Sequence, residues 1–143
     1  MIFSLNDRYT NIGILFIRIG IGLMFILHGW PKFTGGPEKW AGLGAYGMGT
    51  LGINFLPVFW GFMAAVAEFL GGIHLVFGLF TRPAALLMML TMLVAASTHI
   101  AGGDGISGAS HALESAFVFG SLLFMGAGKF SLDYKFFSGD QSD

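Results

Sequence analysis

The stretch FIRIGIGLMFILHGWPKF, residues 16–33, sets the architecture of this chain. Its apolar run is long enough for a helix that crosses the hydrocarbon core of a bilayer, which takes about 20 residues. Two of its features are unusual in such a helix. It holds a charged residue, Arg18, in its interior, and it closes on His28-Gly29-Trp30-Pro31-Lys32. Because a charge in lipid is costly unless it is paired or hydrated, these residues predict polar partners elsewhere in the chain.

The composition of the whole chain points to the same environment. Hydrophobic residues make up 55% of the 143 residues and charged residues only 10%, so a water-soluble fold would have to hide nearly all of its surface. Seven Lys and Arg nearly balance eight Asp and Glu, which leaves no basic patch for nucleic acid. The chain has no cysteine, which excludes disulfides and thiolate chemistry. Any redox chemistry therefore requires a bound cofactor.

Three further apolar stretches follow the first and predict four transmembrane helices. The expected helices cover about residues 12–30, 57–80, 83–99 and 111–128. The last two are short for a full crossing, so a re-entrant hairpin is the alternative for that part of the chain. The sequence thus predicts an all-α fold, a four-helix transmembrane bundle formed by a single domain over residues 1–143.

The connections between these helices predict how the bundle sits in the membrane. Lys and Arg in short loops favour the cytoplasmic side. The outer loops carry only Lys32 and Lys39, whereas the N-terminus, the turn between the second and third helices and the tail carry more of them. These cytoplasmic residues are Arg8, Arg82, Lys129 and Lys135. Both termini are therefore predicted to face the cytoplasm.

Residues 31–56, between the first two helices, combine many glycines with aromatic side chains such as Trp40 and Tyr46. This composition predicts an interfacial loop that lies at headgroup depth as a lid. A flexible connector is the alternative.

Polar residues inside the predicted helices fall into two layers when a rise of about 1.5 Å per residue is applied. Arg18 and His74 lie nearer the cytoplasmic end, and Glu68 lies near the middle of the membrane. Arg18 is predicted to pair with Glu68, either for function or only to fix helix register. If unpaired, Glu68 or Glu114 would stay neutral and carry protons. The upper layer, near the outer side, consists of His28, Lys32, His99, His111 and Glu114.

The upper layer has the side chains of a ligand or proton-transfer site. His111 and Glu114 are spaced i, i+3 and share one helical face. Imidazoles and carboxylates can transfer protons, hydrogen-bond a carbonyl-bearing ligand such as a quinone, or bind a divalent metal. No spacing is diagnostic of a metal site, so no metal ligand is predicted, although a metal or haem stays open. Interfacial histidines without a site are the remaining alternative.

Several of these residues occur in an order and spacing that resemble the DoxX family, small bacterial and archaeal membrane proteins built as four-helix bundles. The resemblance covers about residues 10–135. The residues that carry it are Arg18, His28-Gly29, Lys32, Glu68, Arg82-Pro83, Glu114 and the tail Gly126-x-Gly128-x-x-Ser131-Leu132-Asp133.

The resemblance implies a quinone-linked role in the inner (cytoplasmic) membrane of a bacterium or archaeon. We therefore expect an inner-membrane subunit of a redox system that binds a quinone, or a similar small ligand, near the outer side. Electrons would come from a soluble or membrane redox partner. In this hypothesis the catalytic residues are His28, Lys32, His111 and Glu114. The cofactor-binding residues are Arg18, Glu68, His74 and His99.

A different class of function fits the same residues. The chain could be a non-catalytic membrane module, either a conduit for protons or small solutes or an anchor and assembly subunit for a redox partner. Glycine- and alanine-lined helix faces also permit a homo-oligomer in the lipid bilayer.

Overall fold

A computed structural model describes residues 7–138, and within them the only regular elements are α-helices. In chain order they are α1 (Asp7–Phe33), α2 (Gly36–Gly49), α3 (Pro57–Phe77), α4 (Thr81–Ala101), α5 (Gly105–Met125) and α6 (Leu132–Phe137). The all-α class predicted from the sequence is confirmed.

Three helices in the described part of the chain, α1, α3 and α4, are long and apolar enough to cross a membrane. Helix α5 is as long as α3 and α4, with 21 residues each. Its mean hydropathy is lowered by His111, Glu114 and several serines. Large apolar side chains cover the outer surfaces of the helices, for example Phe16 and Phe124, which are 80% and 83% exposed. Such surfaces favour lipid over water, so these helices associate with a bilayer.

The four long helices pack beside one another in chain order. Helix α1 lies along α3, α4 lies along α5, and α3 and α4 touch over a smaller surface. An edge-to-face contact between Phe25 and Phe119, with ring centroids 4.9 Å apart, links α1 to α5. Leu75 from α3 and Met88 from α4 are fully buried in the same apolar core. All four long helices therefore contribute to one core.

Glycines set the register between α1 and α3. A methyl group added at Gly22 would lie 2.9 Å from the carbonyl oxygen of Gly72, and one at Gly29 would lie 2.5 Å from the backbone nitrogen of Phe69. The two backbones are too close for larger side chains, as in small-residue packing between membrane helices. This contact places Gly29 level with Glu68 and Gly22 level with Gly72.

The segment between α1 and α3 differs from its prediction. Residues 36–49 form helix α2, so the prediction of a loop is wrong for them. Pro37 lies in its first turn, where a fixed φ favours helix initiation. Gly44 packs so closely on the backbone of Pro57 and Gly61 that a Cβ would have no space. The glycines of this segment thus serve close helix packing, which composition alone does not distinguish from flexibility.

A tight turn, residues 78–80, joins α3 to α4. Gly78 ends α3 in the left-handed conformation, with φ 65°, and Phe80 precedes α4 with φ 50°. Glycine adopts the first of these conformations without strain. Pro83 lies in the first turn of α4, where its missing N–H costs nothing.

The segment that follows α5 holds this turn in place. The Asp133 carboxylate accepts hydrogen bonds from the backbone N–H groups of Phe80 (2.7 Å) and Thr81 (2.9 Å). It therefore caps the N-terminus of α4 across the fold. The Asn11 side chain accepts a 2.6 Å hydrogen bond from Lys129 N, which attaches the same segment to α1. Polar residues near both chain ends thus close one end of the fold.

The cap on α4 gives a first testable prediction. Asp133→Ala is expected to lower the free energy of unfolding by about 1–2 kcal/mol, because two N–H groups of α4 lose their acceptor. Unfolding in mixed micelles of increasing SDS content, followed by circular dichroism, measures the change. Asp7→Asn is the control, because its ion pair with Lys129 is long, at 3.8 Å, and exposed. Equal losses in the two variants would contradict the cap.

Candidate functional site

Polar side chains form two clusters at different levels of the fold. We call the first the Arg18 cluster: Arg18 with the backbone carbonyls that it binds. The second, the His28 cluster, consists of His28 and Lys32 from α1, Glu68 from α3 and His111 from α5. Arg18 and His28 are separated by about 15 Å along α1 at a rise of about 1.5 Å per residue. The two clusters therefore have separate surroundings.

The predicted pair between Arg18 and Glu68 is wrong. Arg18 Nε donates to Leu75 O at 3.0 Å, while Glu68 binds Lys32. The reason is the α1–α3 register, which places Glu68 level with Gly29 and so well above Arg18. The arginine stem cannot span that height.

Arg18 is instead a buried cation, with only 1% of its surface exposed, and each of its three guanidinium nitrogens has an acceptor. Its guanidinium also donates to Phe130 O at 3.0 Å and Val76 O at 3.4 Å, and it binds Ala127 O. The acceptors on α3 belong to its last turn, where carbonyls lack partners within the helix and a cation is favoured. The guanidinium packs against Gly78, where an added methyl would be 2.6 Å from Arg18 Cζ. Arg18 therefore joins α1, the end of α3 and the segment after α5.

His74 lies at the level of the Arg18 cluster and has a local partner. Its Nδ1 donates to Leu79 O at 2.9 Å, within the turn that ends α3. Its ring contacts Phe80, with centroids 6.2 Å apart. The structure therefore does not bring His74 or Arg18 to the His28 cluster.

Lys32 and Glu68 form the ion pair of the His28 cluster. Lys32 Nζ lies 2.7 Å from both carboxylate oxygens of Glu68. The Glu68 side chain is 4% exposed and the Lys32 side chain 32% exposed, so the carboxylate is buried while the ammonium retains access to the surroundings. Trp40 Nε1 on α2 donates to Lys32 O at 2.9 Å and fixes the last turn of α1. The ion pair therefore fixes the position of the Lys32 ammonium at the edge of the bundle.

His28 lies one turn before Lys32, on the same face of α1. Its Nδ1 is 2.8 Å from Met24 O, and because a carbonyl can only accept, Nδ1 carries the proton. Nε2 has no hydrogen-bond partner among residues 7–138; it is an acceptor in the neutral ring and a donor only when the ring carries a second proton. The His111 ring on α5 lies nearby, with centroids 6.1 Å apart. Both histidines are exposed on the outside of the bundle, so a ligand can reach them from the surroundings.

The remaining predicted residues of the upper layer lie at its edge. Glu114 is exposed and follows His111 by three residues on α5, and it has no hydrogen bond or ion pair within the part of the chain that the structure describes. His99 Nδ1 is 2.9 Å from Asp104 Oδ2 in the connection between α4 and α5. The structure thus joins His28, Lys32 and His111 to Glu68, puts Glu114 next to them, and gives His99 a local partner.

The described residues offer little for a metal ion. Between residues 7 and 138, no three His, Asp or Glu side chains come together as ligands for one. The side chains of the His28 cluster are instead suited to hydrogen bonding and proton transfer.

Sequence reasoning missed two residues of the Arg18 cluster and its surroundings. In the sequence Asp133 belongs only to a tail motif, and Gly78 has no separate signal. Their roles depend on the approach of the tail to the α3–α4 turn, for which neither residue carries a local signal.

Helical packing, apolar outer surfaces and the buried charged residues Arg18 and Glu68 define a small integral membrane protein of the all-α class. The DoxX family model matches residues 13–101, and the chain belongs to this family. The match includes α1 to α4 almost completely and both sides of the Lys32–Glu68 ion pair.

Three bacterial relatives extend this result. The chain is 36% identical to an uncharacterized protein of Haemophilus influenzae over 92% of this chain and 96% of the relative. It is 32% identical to the inner membrane protein YqjF of Escherichia coli over 88% and 93%. It is 34% identical to the Bacillus subtilis protein named "Putative oxidoreductase CatD" over 64% and 63%. No solved structure gives a significant match.

Proposed function

We propose that this protein is the inner-membrane subunit of a quinone-linked redox system and that a quinone, or a similar small carbonyl ligand, binds at the His28 cluster. One observation carries the proposal: two exposed imidazoles, His28 and His111, lie 6.1 Å apart, one helical turn from the held ammonium of Lys32. The names of two relatives support it, since one is an inner membrane protein and the other carries oxidoreductase in its name.

The proposed topology places this cluster near the outer side of the membrane. Helices α1, α3, α4 and α5 form four crossings of a single domain, and both termini face the cytoplasm. The lysines and arginines at the Arg18 end favour this orientation. The exposed histidines then lie near the outer interface, where an amphipathic ring system with a hydrocarbon tail can enter from the bilayer.

The chain's own residues have distinct roles in this proposal. A bound quinone supplies two-electron redox chemistry, which also takes up two protons on reduction. His28 Nε2 accepts a hydrogen bond from a hydroxyl of the reduced ligand or, with the ring protonated, donates to an oxygen of the oxidised ligand. Lys32, held by Glu68, places positive charge close to it. His111 and Glu114 transfer protons from the outer side, because they share one face of α5. The chain has no cysteine, and the electrons come from a redox partner.

The Arg18 cluster argues against the alternative of a conduit. The guanidinium fills the space between α1, α3 and the segment after α5, and four carbonyls hold it there. A path for protons or solutes through this end would have to break those bonds. An anchor or assembly role is not opposed by this geometry, and the test below separates it from ligand binding.

Ligand binding can be tested on protein purified in a mild detergent. Mass spectrometry of lipid-soluble compounds extracted from the wild type is expected to detect a quinone. The amount is expected to fall at least tenfold in His28→Ala/His111→Ala because both imidazole hydrogen bonds to the ligand are lost. His99→Ala is the matched control, since His99 binds Asp104 locally. Equal quinone in all three proteins would contradict the proposal. Loss of only a co-purifying protein partner would identify an anchor subunit instead.

A further inference from the structure

An open cavity of about 470 Å³ lies at the Arg18 end of the fold, between the start of α4 and the segment that follows α5. It adjoins the Arg18 cluster at Ala127, but Arg18 itself does not line it. Its polar wall is built by Thr81, Arg82, Lys129 and Asp133, and Phe80, Met125 and Phe137 supply apolar surface. The cavity thus combines cations with an apolar rim.

The hydroxyl of Thr81 is an unexplained polar group in this wall. Thr81 is 0% exposed, and its Oγ1 has no hydrogen-bond partner among the described residues. Leaving a buried hydroxyl without a partner destabilises the folded state. An apolar residue of the same shape, valine, would avoid this cost, so the hydroxyl indicates a partner from outside the chain.

Two cations lie at the same cavity. Arg82 is exposed and makes no hydrogen bond or ion pair within residues 7–138, and its guanidinium lies over Gly126, where a Cβ would be 3.5 Å from Nε. Lys129 is also exposed and has only a long contact, 3.8 Å, with Asp7. The one carboxylate in the wall, Asp133, has its oxygens occupied by the N–H groups of α4. The cavity therefore has free donors for an anion.

We propose that this cavity binds a phosphate group through Arg82, Lys129 and the Thr81 hydroxyl. Arginine suits phosphate because its planar N–H groups match two phosphate oxygens, and lysine adds a point charge. A phospholipid headgroup and a free phosphate share this chemistry. The position of the cavity at the ends of apolar helices, and its apolar rim, favour the headgroup of an anionic lipid.

The test uses the full chain in maltoside micelles and compares three added probes: phosphatidylglycerol, a diacylglycerol with the same acyl chains, and sodium phosphate against sodium chloride at equal ionic strength. Phosphatidylglycerol is expected to raise the unfolding temperature of the wild type more than diacylglycerol does. Arg82→Gln/Lys129→Gln is expected to remove this difference. Lys135→Gln, an exposed cation outside the cavity, is expected to keep it.

The variant Thr81→Val tests whether the Thr81 hydroxyl binds the ligand or simply lacks a hydrogen-bond partner. Without lipid, the variant is expected to be at least as stable as the wild type, because the orphan hydroxyl is removed. Its affinity for phosphatidylglycerol is expected to fall about tenfold, because one hydrogen bond to a charged group is lost. A variant with unchanged affinity would overturn the proposed role of Thr81.

The remaining outcomes also decide the proposal. A shift with sodium phosphate that the double variant loses would confirm the site and identify free phosphate as its source. Equal lipid-dependent shifts in wild type, Arg82→Gln/Lys129→Gln and Lys135→Gln would overturn it. If the double variant does not fold, native mass spectrometry of Lys129→Gln counts bound phosphatidylglycerol, and an unchanged count would overturn the proposal.

Discussion

Replacement of Arg18 by methionine is expected to destabilise the protein by at least about 4 kcal/mol, or to prevent folding. Methionine fills similar space but donates no hydrogen bond to Leu75, Val76, Ala127 or Phe130. Leu75 O keeps the Gly78 N–H as a donor, but the other three carbonyls lose theirs, and a buried carbonyl left without a donor costs about 1–3 kcal/mol. Unfolding in mixed micelles of increasing SDS content measures the loss.

Two further variants show whether the guanidinium itself is required. Arg18→Lys keeps the charge but has one nitrogen in place of a planar fork, so it is expected to lose a large part of the stability. Lys135→Gln removes an exposed cation on α6 and is expected to change stability by less than about 0.5 kcal/mol. If Arg18→Met were as stable as Lys135→Gln, the structural role of Arg18 would be contradicted.

Lys32→Met is the second substitution with a large expected effect. It leaves the Glu68 carboxylate, 4% exposed, without its cation. Removing one partner of a buried ion pair costs about 3–5 kcal/mol, whereas replacing both is often nearly neutral. We therefore expect Lys32→Met to destabilise strongly and Lys32→Met/Glu68→Gln to recover most of the loss in the same unfolding experiment.

A double-mutant cycle between Arg18 and Glu68 is the control for this prediction. These two side chains have different partners, so the losses in Arg18→Lys and Glu68→Gln should add within about 0.5 kcal/mol. Additive losses for Lys32 and Glu68, or strong coupling between Arg18 and Glu68, would contradict the observed pairing.

The sequence predicted the helical class well because its signals are local. The length and hydropathy of the segments around Arg18 and Glu68 identify α1 and α3 without tertiary information. Helix α2 was missed because glycine disfavours an isolated helix, and only the close contact of Gly44 with Pro57 and Gly61 explains its use. The start of α5 at Gly105, earlier than predicted, was hidden by serines and His111.

The position of each site residue along its helix was predictable from the sequence, but which side chains meet across the helices was not. Counting residues along the helices correctly grouped His28 with His111, whose rings are neighbours. It failed for Arg18 because the α1–α3 register depends on the glycine contacts between the two backbones, and those contacts place Glu68 beside Lys32. Which carbonyls turn toward a buried guanidinium is a tertiary property that no local pattern encodes.

The most direct test of the ligand-binding role is a titration of purified protein in detergent with decylubiquinone, followed by tryptophan fluorescence. The Kd is compared for the wild type, His28→Gln and His74→Gln, two histidine variants at different levels of the fold. We predict saturable binding that is weakened about tenfold by His28→Gln and unchanged by His74→Gln. Absence of binding to the wild type, or equal weakening in both variants, would contradict a quinone site at the His28 cluster.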